Sequence, residues 1–214
     1  MYVSGRRSHV VSQAGSVLLV ETVRKSGLDQ AISATLAPWR KPRAVHDPGK
    51  ILLDLALAVA LGGDYLADIA TLRSEPDVFG PVASDSTVSR LIDTLAASGE
   101  KALQVIHRAR ADVRSRIWSL AGNNAPDQGG GVTVDLDGVL VLAHSDKQDA
   151  TATWKKTYGH HPLMGFVDHG SGGKGEPVAV LLRPGNTGSN TAADHVTATR
   201  LALAQLPRKY RRGR

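Results

Sequence analysis

The stretch V-T-V-D-L-D-G-V-L-V-L-A, residues 132–143, decides how this chain is read. Side chains alternate across a strand with a period of two, so Val134, Leu136, Leu140 and Leu142 can face a core while Asp135 and Asp137 share the opposite face. A charge on a central strand must be paired, protonated or metal-bound. Paired carboxylates beside a cleft are a usual way to hold Mg2+ for phosphoryl transfer, which points to a nuclease or a strand-transfer enzyme. The same pattern also suits one acid capping a turn at Gly138 and the other solvated at a strand end, and periodicity alone leaves both readings open.

Downstream the period stays strand-like. Residues 163–167 read as a short strand approached by Gly159-His160-His161-Pro162, and residues 168–175 as a glycine-rich turn. A further strand follows over 176–183, stopped by Pro184-Gly185-Asn186, so three strands in sequence predict a meander. Thr191 then precedes Asp194 at capping-box spacing and opens a helix ending near Pro207, with Val196, Leu201, Leu203 and Leu206 as its apolar side.

Upstream the period is helical. Residues 16–23 are apolar but brief, and residues 28–36 carry Leu28, Ile32 and Leu36 at helical spacing before Pro38. Residues 38–43 form a basic, proline-bounded connector, read as a solvated loop. Asp47 can cap a helix with Pro48 in its first turn, and residues 51–61 are apolar almost all round until Gly62-Gly63. Helices are expected over 64–73, with Leu66, Ile69, Ala70 and Leu72 inward, and over 86–95, with Val88, Leu91, Ile92 and Leu95 inward. The second carries Ser86, Thr87 and Arg90 near its start, side chains suited to phosphate and base-edge contacts in a major groove. The connector between the two is longer than that of a compact helix-turn-helix, so packing alone remains the competing account. Residues 101–120 form a basic helix with His107, Arg108, Arg110, Arg114 and Arg116, fit to lie along a phosphate backbone or simply to be solvated. The clearest boundary is the Gly-, Asn- and Pro-rich segment 121–131, after which the period changes.

Composition narrows the field. The 214 residues are 42% apolar, enough for a real core, and the net charge of +6 favours a polyanionic partner without requiring one. The absence of cysteine excludes disulfides and thiolate metal sites and fits a reducing cytoplasm. No run of eighteen apolar residues occurs, so neither secretion nor membrane spanning is expected. His144, His160, His161, His169 and His195 are too scattered for a zinc signature, and the glycine-rich 170–175 lacks the P-loop pattern.

From Ala37 onward the chain resembles the amino-terminal half of a bacterial insertion-sequence transposase of the DDE type. That group has a ribonuclease H-like catalytic core and is related to actinobacterial elements. The resemblance rests on A-P-W-R at 37–40, H-D-P-G-K at 46–50, G-G-D-Y-L-A-D-I-A at 62–70 and F-G-P-V-A-S-D at 79–85. It is stronger in D-L-D-G-V-L-V-L-A-H-S-D-K-Q at 135–148, Y-G-H-H-P-L-M-G-F-V-D-H-G at 158–170 and L-L-R-P-G-N-T-G-S-N-T-A-A-D-H at 181–195.

The resemblance implies a three-carboxylate enzyme that cuts and joins DNA with two divalent metals, Mg2+ or Mn2+. The family's first catalytic aspartate lies on the first core strand in an Asp-small-Thr context. Asp137, followed by Gly138 and with Val139 in the threonine position, is the better match, and Asp135 is the runner-up. Lys147, Lys155, Lys156, Arg183 and Asn186 could then approach DNA phosphates around the catalytic face, although lysines in a polar connector need no ligand. A family member would continue to a fourth strand and to the second and third acids, whereas this chain ends at Arg214. The expectation is therefore a truncated transposase that supplies only the first carboxylate, binds no metal productively alone and leaves one edge of its first strand unpaired. The expected architecture is α+β. A helical, DNA-binding region over 1–122 and a linker over 123–131 precede an incomplete ribonuclease H-like α/β core of three strands and one helix over 132–207, and a basic tail over 208–214. Expected partners are double-stranded DNA at the element ends and a second copy or a full-length transposase, in the cytoplasm and off the membrane. The alternative is a catalytically inactive DNA-binding or regulatory protein that competes with or pairs with full-length transposase.

Overall fold

The computed structural model describes residues 15–126, 131–143, 147–170, 175–188 and 191–211. Expectations that fall on His144, on parts of the linker and the glycine-rich turn, and on residues 212–214 lie outside the described residues. The chain forms two compact units, Met1–Ala109 and Arg110–Arg214, and the division falls inside a long helix, upstream of the Gly-rich stretch where the sequence composition changes.

The first unit is helical. α1 (Gly15–Ser26) and α2 (Leu28–Leu36) meet at Gly27, whose φ of 74° suits glycine. α3 (Pro48–Ala60) begins as its sequence dictates, since Asp47 accepts from the Lys50 N–H at 2.9 Å and Pro48 occupies a position that needs no donor. A Cβ at Gly49 would lie 2.5 Å from Ser33 Cα, so α2 and α3 approach backbone to backbone there. The single helix expected over 64–73 is instead a 3-10 turn, Leu66–Ile69, running into α4 (Ala70–Arg73). Asp68 caps its start, the carboxylate accepting from the Asp64 and Tyr65 N–H groups at 2.8 Å. α5 (Pro76–Phe79) lies in the connector, followed by α6 (Asp85–Ala97) and α7 (Glu100–Ala121). Three buried clusters hold the unit: Ile51 with Ile69, Val88 and Leu91; Val20 with Leu72 and Phe79; and Ile32 with Leu36 and Leu53. Each such side chain contributes about 1.5–3 kcal/mol relative to exposure. Ala70 and Ile92, expected inward, are exposed.

The second unit is mixed. β1 (Val134–Gly138), β5 (Leu163–Val167) and β6 (Glu176–Leu181) form an antiparallel meander, and α8 (Ala192–Gln205) lies on one face of it. The three strands and one helix correspond to the expected core, and the architecture of the chain is α+β. A second three-stranded sheet, β2 (Val141–Leu142), β4 (Tyr158–His160) and β3 (Thr151–Ala152), was not legible in the sequence. The continuous strand expected over 132–143 is therefore broken. At Val139 the N–H donates to the Pro162 carbonyl, and beyond it the chain pairs with β4 in the second sheet. Leu142, expected on the core face, is exposed.

α8 starts with the expected capping box, with Thr191 and Asp194 bonding each other's backbone N–H groups. Its buried stripe is Ala198 and Ala202, whereas Val196 and Leu203 point out. Small residues are needed because the helix rides close over Gly165, where a Cβ would sit 3.5 Å from that of Ala202. The core of the unit joins Val167, Val178, Ala179, Ala202 and Leu206 to Trp118 from the end of α7.

Candidate functional site

β1 behaves as its alternation requires: Val134 and Leu136 are half-buried, and Asp135 and Asp137 are exposed. Leu136 packs near Gly165, Ala179 and Ala202, so the apolar face is the one covered by α8 and the acids occupy the opposite face. The register sets Asp135 across from Phe166 and Asp137 across from Met164. β1 pairs only with β5, and among the described residues no strand occupies its other edge. Gly138 is required where it stands, since a Cβ would lie 2.9 Å from His161 Nε2.

Two carboxylates on one strand face supply hard oxygen ligands, which fit one Mg2+ or Mn2+ completed by water or phosphate. Among the described residues no group of three His, Cys, Asp or Glu side chains could hold a metal, so the pair does not make a two-metal site.

The residues singled out as DNA contacts separate into distinct environments. At the start of α6, Arg90 donates to Thr87 Oγ1 at 3.1 Å, and Ser84 Oγ lies 3.2 Å from Ser86 Oγ and 3.0 Å from Thr87 Oγ1. Arg73 steadies this end by donating to the Ala83 carbonyl and the Asp85 carboxylate at 2.8 and 2.7 Å. The basic connector is exposed, as expected of a solvated loop, and also borders a cleft. Trp39, donating to Ser98 Oγ at 2.8 Å, anchors it, and Lys41, Arg43 and His46 line a cleft of about 550 Å3 together with Thr87 and Arg90. Charge clustering in both segments was visible in the sequence, but not that they share a cleft.

On α7, Arg108 is exposed and Arg110 half-buried, with burial and then the Arg114 charge lowering the Arg110 pKa. Arg114 departs from the phosphate-contact expectation. It is 7% exposed, and its guanidinium is taken up by Glu176, Gln205 Oε1 at 2.8 Å and the Pro177 carbonyl at 3.4 Å. Burial alone would raise the Glu176 carboxyl, but the Arg114 hydrogen bond and charge, with His169 and Trp118 as further donors, hold it below the usual range. Arg183 is likewise buried, donating to the His161 carbonyl at 3.0 Å and to Asp194 at 3.3 Å. Lys147, Lys155 and Lys156 are exposed, on or beside the small sheet. His160 and His161 bond the Gln148 and Thr187 carbonyls at 3.0 and 3.2 Å, which are structural contacts. Missed entirely was Trp154, exposed between Thr153 and Lys155. The tripeptide Trp-Lys-Lys between two threonines was the available signal.

The second unit bears two acids on the open face of a strand and the first unit carries a basic cleft, two separate features expected of a metal-dependent DNA-processing protein. The chain belongs to the family described as Transposase DDE domain group 1, whose model matches residues 2–214 and so covers both units. Transposases of this type act on DNA and generally use Mg2+ or Mn2+. No curated protein and no solved structure matches the chain. No helix among the described residues is long and apolar enough to cross a membrane.

Proposed function

We propose that this chain works in DNA transposition by holding duplex DNA of an element end on its helical unit and presenting Asp137 as the first carboxylate of a cleavage and strand-transfer site. Asp135 is the second candidate for that role. The observation that carries the reading is the exposed Asp135 and Asp137 pair on β1, in a chain that belongs to the DDE family over residues 2–214. Mg2+ or Mn2+, when bound, supplies Lewis-acid activation at phosphate oxygen, and Asp137 and Asp135 are the residues that would ligate it. Ser86, Thr87 and Arg90, with Lys41 and Arg43 across the cleft, are the duplex contacts; Arg108, Lys147, Lys155 and Lys156 add phosphate contacts. Arg114 is not among them, because its donors are spent inside the protein.

The test is fluorescence anisotropy of a labelled element-end duplex, with and without divalent metal. In EDTA, Asp137→Asn should bind slightly tighter than the parent, because a carboxylate repels phosphate. Added Mg2+ or Mn2+ should strengthen the parent's binding but not the variant's. An identical metal response from both proteins would remove Asp137 from the site.

One observation favours a second reading, a DNA-binding or regulatory protein that competes with or pairs with full-length transposase. Among the described residues β1 is paired on one side only, and an open strand edge is a template for another chain. Inhibition of a complete transposase in a mixed reaction, undiminished by Asp137→Asn, would favour it over a catalytic contribution.

A further inference from the structure

The small sheet presents an aromatic side chain that core packing does not explain. β3 and β4 form a hairpin closed by Thr153 and Thr157, whose N–H and carbonyl bond at 2.7 Å and whose hydroxyls lie 2.6 Å apart. Lys156 adopts a φ of 59° to complete the turn. At this tip Trp154 is 69% exposed, whereas Trp118 is 5% exposed and Trp39 is tied to Ser98. A single exposed apolar residue is unremarkable by itself. This one borders a cleft of about 340 Å3, which it lines together with His161, Gly185, Asn186, Thr187 and Gly188.

That cleft is held in place by its own bonds. The Asn186 N–H donates to Thr151 Oγ1 at 2.8 Å, and His161 Nδ1 lies 3.2 Å from the Thr187 carbonyl. Gly185 fits because a Cβ there would run into the Gly159 and Thr151 carbonyls. The volume falls at the low end of small-ligand sites, about 300–1,000 Å3, which suits one planar group rather than a chain. No carboxylate lines it, and cations flank it: Lys156 is exposed, and Lys155 Nζ lies 5.0 Å from the Trp154 ring centroid. A π-face, an exposed amide able to hydrogen-bond, and two adjacent ammonium groups form the set that recognises a base out of the stack with phosphates on either side.

We propose that Trp154 is the stacking platform for one unpaired nucleobase of the DNA substrate, with the exposed Asn186 amide at the base edge and Lys155 and Lys156 on the flanking phosphates. The inference rests on the proposed role in DNA transposition and gives that role a second requirement, for a DNA end that is locally unpaired.

The full chain is titrated by fluorescence anisotropy against two labelled DNAs of equal length, one fully paired and one ending in a short single-stranded overhang. The parent should prefer the overhang about tenfold, the scale of one base stacked on an aromatic ring. Trp154→Ala should abolish that preference and leave the paired duplex unaffected, while Trp154→Phe retains most of it. Replacing Lys155 and Lys156 by Ala should weaken both DNAs and flatten the salt dependence. Circular dichroism confirms that each variant is folded. A parent without preference, or a Trp154→Ala protein that keeps it, overturns the stacking role and leaves duplex binding standing. No binding to either DNA at low salt overturns this proposal and the transposition reading together.

Discussion

Replacing Arg114 by Met removes a guanidinium that is 7% exposed and keeps a side chain of comparable length. Four acceptors lose a donor: Glu176, Gln205 Oε1 and the Gln205 and Pro177 carbonyls. Removing one partner of a buried ion pair costs about 3–5 kcal/mol. The Glu176 side chain is 28% exposed and keeps the Trp118 and His169 donors, so the lower end, about 3 kcal/mol, applies. With a urea slope of about 1.5 kcal/mol per M, the midpoint should fall by about 2 M, read from the fluorescence of buried Trp118. The pH dependence identifies the cause. In the parent, the Glu176 carboxyl is held below its usual range, so its contribution is present above the unfolded value of about 4.3 and is lost as pH falls through the lower folded value. Burial is already the largest single influence on Glu176 and acts upward, so losing the Arg114 hydrogen bond and charge moves the folded value up. The variant therefore loses less stability than the parent as pH falls. The gap between the two midpoints should narrow as pH falls through the carboxylate range, and should become independent of pH when both proteins also carry Glu176→Gln. A gap that stays constant across that range with Glu176 intact would refute the assignment of the cost to an uncompensated Glu176.

Gly49→Ala should destabilise the helical unit by about 1–3 kcal/mol despite its better helix propensity, because the new Cβ would meet Ser33 backbone at 2.5 Å; thermal denaturation followed by circular dichroism checks it. Arg90→Ala should reduce the slope of log affinity against log salt by about 1 if its guanidinium neutralises one phosphate, and an unchanged slope would assign it a packing role.

The acid face was legible because alternation over 134–137 is a backbone property that needs no partner to read. The Asp47 and Thr191 caps were legible for the same reason, each being a contact between residues three apart. Features set by distant residues were not. Arg114 reads as one of a row of surface cations until Glu176, far along the chain, supplies its counter-charge. The inward stripe of α8 was assigned to its large side chains, whereas the buried residues are Ala198 and Ala202, the latter facing Gly165. The small sheet escaped notice because strands of two or three residues are too short to display a period. The shared cleft of Lys41, Arg43 and Arg90 depends on the loop folding back toward α6, which charge spacing does not encode.

The step at Val139 and Leu140, mirrored by His161 and Pro162, makes the passage between the two sheets only two residues long on each chain segment. Such a joint is a seam for evolutionary variation. A hairpin grafted or lengthened beyond it changes what the small sheet offers to a substrate without shifting the β1 register that sets Asp135 and Asp137 outward. Selection can thus vary the hairpin tip by insertion and drift while the acids remain under a separate constraint. A lineage can vary what this surface presents before it disturbs the acid face.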